Sequence, residues 1–360
     1  MSGGQPAASS AADRVDLLSS LEEAREDWTA LAHESRNIFS TWEWASTWWR
    51  RYGAGHRPLV VACREAGDTV ALLPLYLWSL RPIRIARFIG HGPADQLGPI
   101  CSPAGRPTAA DGLRSVAALA ELDLILAELF AGGEGWPQLL QEQPLLAEAS
   151  PTISLRRGWD AYFASRSANF RQQLRRRERE LQRRYAVRFR LASEPNRLQD
   201  DLSLLFALHR ARWGSDASAF TRFEEFHRDF AAVASERGWL RLWFLELDGH
   251  PAAAWYGFRF AGVESYYQAG RDPRLRGESV GFVLLSHSIQ QAAEDGVCEY
   301  RLLRGGEGFK LRFAETDAGV ASFALARGLV GRTARVAAGV GLRSGTARSV
   351  LRRLARRAPV

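Results

Sequence analysis

A mixed α/β fold in two domains is what this sequence predicts, and three observations predict it. The chain has 360 residues, the length of about two ordinary domains. Hydrophobic residues make up 46% of it, with 12 Trp and 18 Phe, so two substantial cores can be filled. Strand-like and helix-like periods alternate along the chain, most regularly between 187 and 303.

The N-terminus, Met1 to Asp13, is small and polar, has no apolar segment of a secretory signal, and is expected to be disordered. A first domain is expected over 14–150. Residues 14–34 have helical spacing, as do Trp42 to Tyr52 with Trp44, Trp48 and Trp49. Residues 58–64 and 69–77 read as two strands about a Gly67-Asp68 turn, and Ile83 to Ile89 as a third. That strand runs into a turn-rich loop, His91 to Pro99. A helix at 110–130 and a Gly/Pro-rich stretch at 131–151 close the domain.

A second domain, 151–317, includes a basic helix within 166–190. Asn169 to Tyr185 reads as helix with a sparse apolar side of Phe170, Leu174 and Leu181, and Val187 to Leu191 as a short strand. Leu202 to Trp213 and Phe223 to Ala234 are amphipathic helices. Three strands follow, Leu240 to Leu247, Ala252 to Phe260 and Val263 to Ala269, joined at Asp248-Gly249 and Ala261-Gly262. Gly281 to Ala293 is a helix and Glu299 to Leu303 a final strand, giving the order β-α-α-β-β-β-α-β.

Charge is unevenly placed. Of the net +8, nine arginines and no acid fall in 318–360, which leaves 1–317 at −1. Residues 166–190 hold ten arginines against Glu178 and Glu180. Two cationic segments on an acidic body point to anionic partners: phosphates, a membrane face or nucleic acid. The segment 318–360 reads as a basic tail able to lie on an anionic membrane. Its glycines weaken a continuous helix, so only Thr346 to Arg357 is expected to be helical. No run of about 18 uncharged apolar residues predicts a membrane span. Cys63, Cys101 and Cys298 are widely spaced, which supports neither a disulfide framework nor a zinc site. A cytoplasmic protein, peripheral at the inner membrane face, fits these features.

Lys310 is the only lysine beside 47 arginines. It can act as a compact, rotatable point charge, which a guanidinium cannot. Upstream, Arg276-Gly277-Glu278-Ser279-Val280-Gly281 precedes the apolar Phe282-Val283-Leu284-Leu285 at a strand-to-helix turn, and the amides of such a helix start favour anions. The element order and this turn resemble the GNAT acyltransferase fold. In that fold the turn holds the acyl donor's pyrophosphate, so Arg276, Gly277, Ser279, Val280 and Gly281 are the candidate donor-binding residues. Ser279 stands where a glycine is usual, and Glu278 brings a negative charge.

Further stretches resemble the CelD/BcsL-type acetyltransferase-like family across about residues 37–313. They are Phe39 to Trp44 with Trp48 and Trp49, Leu72-Leu73-Pro74-Leu75, the Asp95-bearing loop His91 to Gly98, and Phe170 to Arg176. Leu208 to Trp213, Phe226-His227, Asp248 to Ala253, Asp272-Pro273, Ser279 to Gly281, and Leu302 to Lys310 follow. Val280 stands where that family has proline and Phe309 where it has tyrosine, which rules out a tyrosine acid or base at 309. The resemblance implies two tandem GNAT-like domains with mixed sheets flanked by helices, akin to the Fem-type peptidoglycan ligases. It implies acyl transfer from acetyl-CoA or another acyl-CoA, without a metal, to an amine or hydroxyl of a small-molecule, polysaccharide or cell-envelope precursor. Asp95 is the candidate base, and Lys310, positioned by Glu307 and supported by Arg304, Gly305 and Phe309, the candidate donor to developing negative charge. Trp44, Trp213 and Tyr267 are candidates to stack on a sugar, whereas His209 and His227 read as packing or capping residues. The alternatives are a Fem-type ligase using aminoacyl-tRNA, with the basic helix on RNA phosphates, and a non-catalytic module for anionic lipid or polysaccharide.

Overall fold

A computed structural model describes residues 15–79, 82–214 and 219–343. The chain divides into two compact units, one of described residues 15–35, 39–147 and 320–343, the other of 36–38 and 148–319. Each is a mixed sheet flanked by helices.

The first unit contains β1 (Val15–Leu18), α1 (Arg25–Ser35), α2 (Trp42–Tyr52), β2 (Arg57–Glu65), β3 (Asp68–Ser79), β4 (Ile85–Phe88), β5 (Ile100–Cys101), α3 (Arg106–Leu119), β6 (Leu124–Ala131), α4 (Trp136–Leu140) and β7 (Leu146–Glu148). From the far end of the chain it takes β15 (Val320–Ala326) and α12 (Gly328–Arg343). The sheet runs β1-β2-β3-β4-β6-β15-β7, with β5 beside β3. Only β4 and β6 pair in parallel, as the crossover through α3 requires. Trp28, Trp44, Tyr76, Phe88 and Phe130 fill its core.

Three expectations are corrected here. Residues 15–18 form a strand ahead of the first helix rather than its first turn. The expected helix at 110–130 ends at Leu119, and Leu124–Ala131 is the strand β6, because a short apolar run has no periodicity that separates strand from helix. The basic tail does not begin at 318: Val320–Ala326 pairs antiparallel with β6 and buries Val320, Phe323 and Ala324. The helix after it spans Gly328–Arg343, glycines included. A Cβ on Gly331 would collide with the Asp123 carbonyl oxygen, so that glycine serves close packing instead of breaking the helix. The expected helix at 346–357 and the expectation of disorder at 1–13 both lie outside the described residues.

The second unit contains β8 (Pro151–Ser154), α5 (Gly158–Ser165), α6 (Ala168–Arg184), β9 (Val187–Leu191), α7 (Leu198–Trp213), α8 (Ala219–Arg222), α9 (Glu224–Glu236), β10 (Leu240–Leu247), β11 (His250–Phe260), β12 (Val263–Arg271), α10 (Val280–Glu294), β13 (Glu299–Arg301), α11 (Gly308–Phe313) and β14 (Thr316–Asp317). Its sheet order is β14-β8-β13-β12-β11-β10-β9. Again one pair, β12 with β13, is parallel and is joined through a helix, α10.

Two features of β12 shape the site. It pairs with β13 only through Val263, Glu264 and Ser265 and then continues to Arg271 without that neighbour. Against β11 its register passes from Gln268 opposite Tyr256 to Tyr266 opposite Gly257, so Tyr267 is the extra residue of a β-bulge. On the other face α7 packs closely, since a Cβ on Gly270 would collide with the backbone of His209.

Candidate active site

Beyond its pairing with β13, strand β12 turns Tyr266, Ala269, Gly270 and Arg271 onto a cavity of about 200 Å³. Ala254 and Trp255 of β11, Arg212 of α7, Leu275 and Arg276 of the loop, Ser279 to Phe282 and Leu284 around the start of α10, and Phe309 of α11 complete the lining. All belong to the second unit.

The turn into α10 is made by Ser279 in the left-handed region (φ 59°, ψ 28°), and no side chain caps the helix. Its first amides therefore begin on the cavity without a side-chain acceptor, and the dipole of a 15-residue helix adds partial positive charge there. A Cβ on Gly281 would meet nothing within 4 Å, so a ligand can approach the backbone closely at that point.

Three guanidiniums, from Arg212, Arg271 and Arg276, share this cavity, and among the described residues no carboxylate lines it. Burial, followed by the like charges of Arg212 and Arg276, pulls the Arg271 pKa below the usual guanidinium value. Arg271 Nη1 and Trp255 Nε1 are buried donors with no partner. Buried donors of this kind are rare in folded proteins, because each one forfeits its hydration. An anion with several acceptor oxygens would satisfy both the charge and the donors.

Away from the charges the wall is aromatic. The Tyr266 ring lies 5.7 Å from Trp255 and 6.3 Å from Phe309, centroid to centroid. Burial raises the Tyr266 phenol to about 12, the positive charge of Arg212 beside it pulling the other way. It is therefore neutral near pH 7 and retains its own proton for donation.

The sequence-derived candidates separate into two groups. Arg276, Ser279, Val280, Gly281 and Phe309 line the cavity together, while Gly277 lies in the same loop without joining the lining. Glu278 does not face the cavity either, being ion-paired with Arg184 at 2.8 Å. Lys310 is buried and its ammonium is held within its own loop, 2.7 Å from the Arg304 carbonyl and 3.1 Å from Glu307 Oε2. Lys310, Glu307, Arg304 and Gly305 thus stand apart from the residues that line the cavity, although Phe309 beside them is one of those residues.

Ordinary strand alternation puts Tyr267 on the opposite face of β12 from Tyr266, in a cluster with Phe220, His227 and Phe258. Trp44 is completely buried in the first unit, edge-on to Phe39 at 4.8 Å, and is a core residue. Trp213 is exposed, with the Arg212 guanidinium 4.4 Å above its ring. Asp95 is buried in the first unit, in the loop between β4 and β5, and is not among the cavity residues. His209 and His227 are buried and held down to about 4 and about 3 by burial, as packing residues are.

Sequence reasoning missed Arg212, Arg271, Trp255 and Tyr266. For Arg271 a signal existed, a basic residue closing the strand Val263–Arg271 just ahead of the 272–281 loop. For the other three, nothing in the alternation distinguishes a cavity wall from a core.

The fold is that of GNAT-like domains, with an uncapped helix start beside a strand that has left its parallel neighbour. In agreement, residues 168–311 match the sequence profile of the family described as an acetyltransferase (GNAT) domain. No curated protein matches the chain. Among solved structures it is similar to FemX, with a TM-score of 0.63, 10% identity, and coverage of 84% of this chain and 96% of that one. It is also similar to L-PGS from Bacillus licheniformis (TM-score 0.55, 13% identity, 94% and 97% covered). A third is the C-terminal domain of a putative lysylphosphatidylglycerol synthetase from Agrobacterium fabrum (TM-score 0.53, 14% identity, 88% and 95% covered). At these identities the likeness concerns the fold, two tandem GNAT-like domains.

Proposed function

We propose that the second unit binds an acyl-CoA at the start of α10 and transfers its acyl group to an amine or hydroxyl. The observation that carries this reading is the acid-free cavity in which Arg212, Arg271 and Arg276 meet an uncapped helix N-terminus. The donor's phosphates satisfy those groups, and its thioester extends along β12 toward Tyr266 and Phe309. The nucleophile's lone pair attacks the thioester carbonyl carbon, a new C–N or C–O bond forms, and the C–S bond breaks. The neutral Tyr266 phenol, with Arg212 beside it, donates a hydrogen bond to the negative charge on oxygen or on the departing thiolate. Lys310 acts as a positioning residue, holding the 304–307 loop so that Phe309 stands on the cavity wall.

The finer likeness to the CelD/BcsL-type family, through the motifs at 39–44, 72–75, 91–98 and 302–310, supports a polysaccharide or cell-envelope precursor as acceptor. Asp95 is retained as the proposed base or acceptor-orienting carboxylate on that likeness. An aminoacyl-tRNA donor is disfavoured, because much of the basic helix is already committed. Arg166 donates to the Phe313 and Ala314 carbonyls, Arg171 to the Ala164 and Arg166 carbonyls, Arg177 pairs with Glu180, and Arg184 with Glu278.

Calorimetric titration with acetyl-CoA and longer acyl-CoAs tests the donor. Binding that is lost in Arg271→Met, with the fold retained, is the expected result. Wild-type protein that gives no heat with any acyl-CoA but accepts aminoacyl groups from charged tRNA would replace this reading with the ligase one.

A further inference from the structure

Helix α12 has two unlike faces. Helix geometry puts Gly331, Ala334, Ala338 and Gly339 on one side and Leu329, Val330, Thr333, Val336 and Ala337 on the other. The inner side is fixed to the first unit. Gly331 packs on the Asp123 carbonyl, Gly339 faces Leu145, and Arg335 pairs with Glu142 at 2.5 Å. The outer side carries large apolar groups in water: Leu329 is 82% exposed, Val336 68% and Val330 53%. Arg332 lies exposed at its edge.

Exposed apolar residues along one helix face are unusual on a monomer, and here they fall in a segment of the sequence that carries no acid. Residues 318–360 contain nine arginines and no acid. We propose that α12 docks on an anionic lipid bilayer, with Leu329, Val330 and Val336 entering the headgroup region while the arginines meet lipid phosphates. Charge alone would suit nucleic acid equally well. The three exposed apolar side chains have no use against a phosphate backbone, but they match the shallow insertion of an interfacial helix. No helix among the described residues is long and apolar enough to cross a membrane, so the association is peripheral. The inference is independent of acyl transfer, whose cavity shares no residue with α12.

Sedimentation of the full chain with phosphatidylglycerol-containing vesicles, compared with phosphatidylcholine vesicles, tests it. The expected result is binding to the anionic vesicles only, weakened at least tenfold in Leu329→Asp/Val336→Asp and weakened by salt. Melting and acetyl-CoA binding should stay unchanged in that variant, which separates this result from the fate of the acyltransferase reading. Wild-type protein that ignores anionic vesicles, or a double variant that binds them as well as wild type, overturns the proposal. So does binding to an RNA oligonucleotide in place of vesicles. A concentration-dependent dimer abolished by the same substitutions would instead make the face an interface between copies.

Discussion

Among the described residues each unit contains one parallel strand pair joined by a crossover helix, β4-α3-β6 in the first and β12-α10-β13 in the second, and the two helix starts differ in their surroundings. In the second unit the approach to α10 is loose. Gly281 has open space beside it, and three arginines face the same void. In the first unit the equivalent approach is filled by protein. A Cβ on Gly105, before α3, would collide with the Val70 carbonyl oxygen, and Arg106 is paired with Glu134 at 2.7 Å. The loop after β4 is bound back onto β6, with the Leu97 amide 3.0 Å from the Leu129 carbonyl and Gly98 packed on Phe130. One topology thus gives a packed helix start with a paired arginine in the first unit and an open helix start beside three arginines in the second.

The largest effect should come from exchanging these properties. Gly105→Val forces a side chain into backbone and should cost about 1–3 kcal/mol or more of stability, read by denaturant unfolding, with acyl-CoA affinity unchanged. Gly281→Val should do the reverse, leaving the midpoint nearly in place while donor binding falls. If both variants affect stability alone, the contrast between the two helix starts has no functional meaning.

Arg271→Met should weaken acyl-CoA binding about 10- to 100-fold, roughly what one or two charge-assisted hydrogen bonds contribute. It should not lower the melting temperature, because it removes a buried charge that no carboxylate offsets. A large loss of stability with unchanged affinity would mean that Arg271 is structural.

Lys310→Met sharpens the division inside the second unit. Loss of the bonds to Arg304 and Glu307 leaves a buried carbonyl unsatisfied and should cost about 1–3 kcal/mol. The turnover that remains should be restored in proportion to the folded fraction. A hundredfold loss of kcat in fully folded variant would return Lys310 to the chemistry.

The smallest effect concerns pH. His209 and His287 titrate near 4 and His227 near 3 in the folded second unit, all lowered first by burial, against 6.5 for an unperturbed histidine. Between these values the unfolded chain binds more protons than the folded one. The stabilisation is therefore complete above about pH 6.5 and is lost as pH falls toward 4 and 3. In the first unit only His91, among the described residues, is similarly lowered. Unfolding monitored from pH 7 to pH 4 should weaken the second unit first, and His227→Phe should flatten that slope.

Local patterns made much of this legible in advance. The alternation in Leu240–Leu247, His250–Phe260 and Val263–Arg271, with Asp248-Gly249 and Ala261-Gly262 between them, announces a three-stranded meander, because side-chain period and turn residues are local properties. The turn at 276–281 into the apolar helix after it is legible for the same reason. Tertiary structure alone decided the rest. That Ala269 and Arg271 share the face of Tyr266 depends on a bulge set by pairing with β11. Whether the sole lysine meets substrate or its own loop depends on where the Arg304 carbonyl comes to lie. That Val320–Ala326 completes the first sheet depends on pairing with β6, nearly two hundred residues earlier in the chain. Periodicity records how a segment meets its immediate neighbours, whereas register, burial of charge and long-range strand pairing arise only when distant segments compete for the same space.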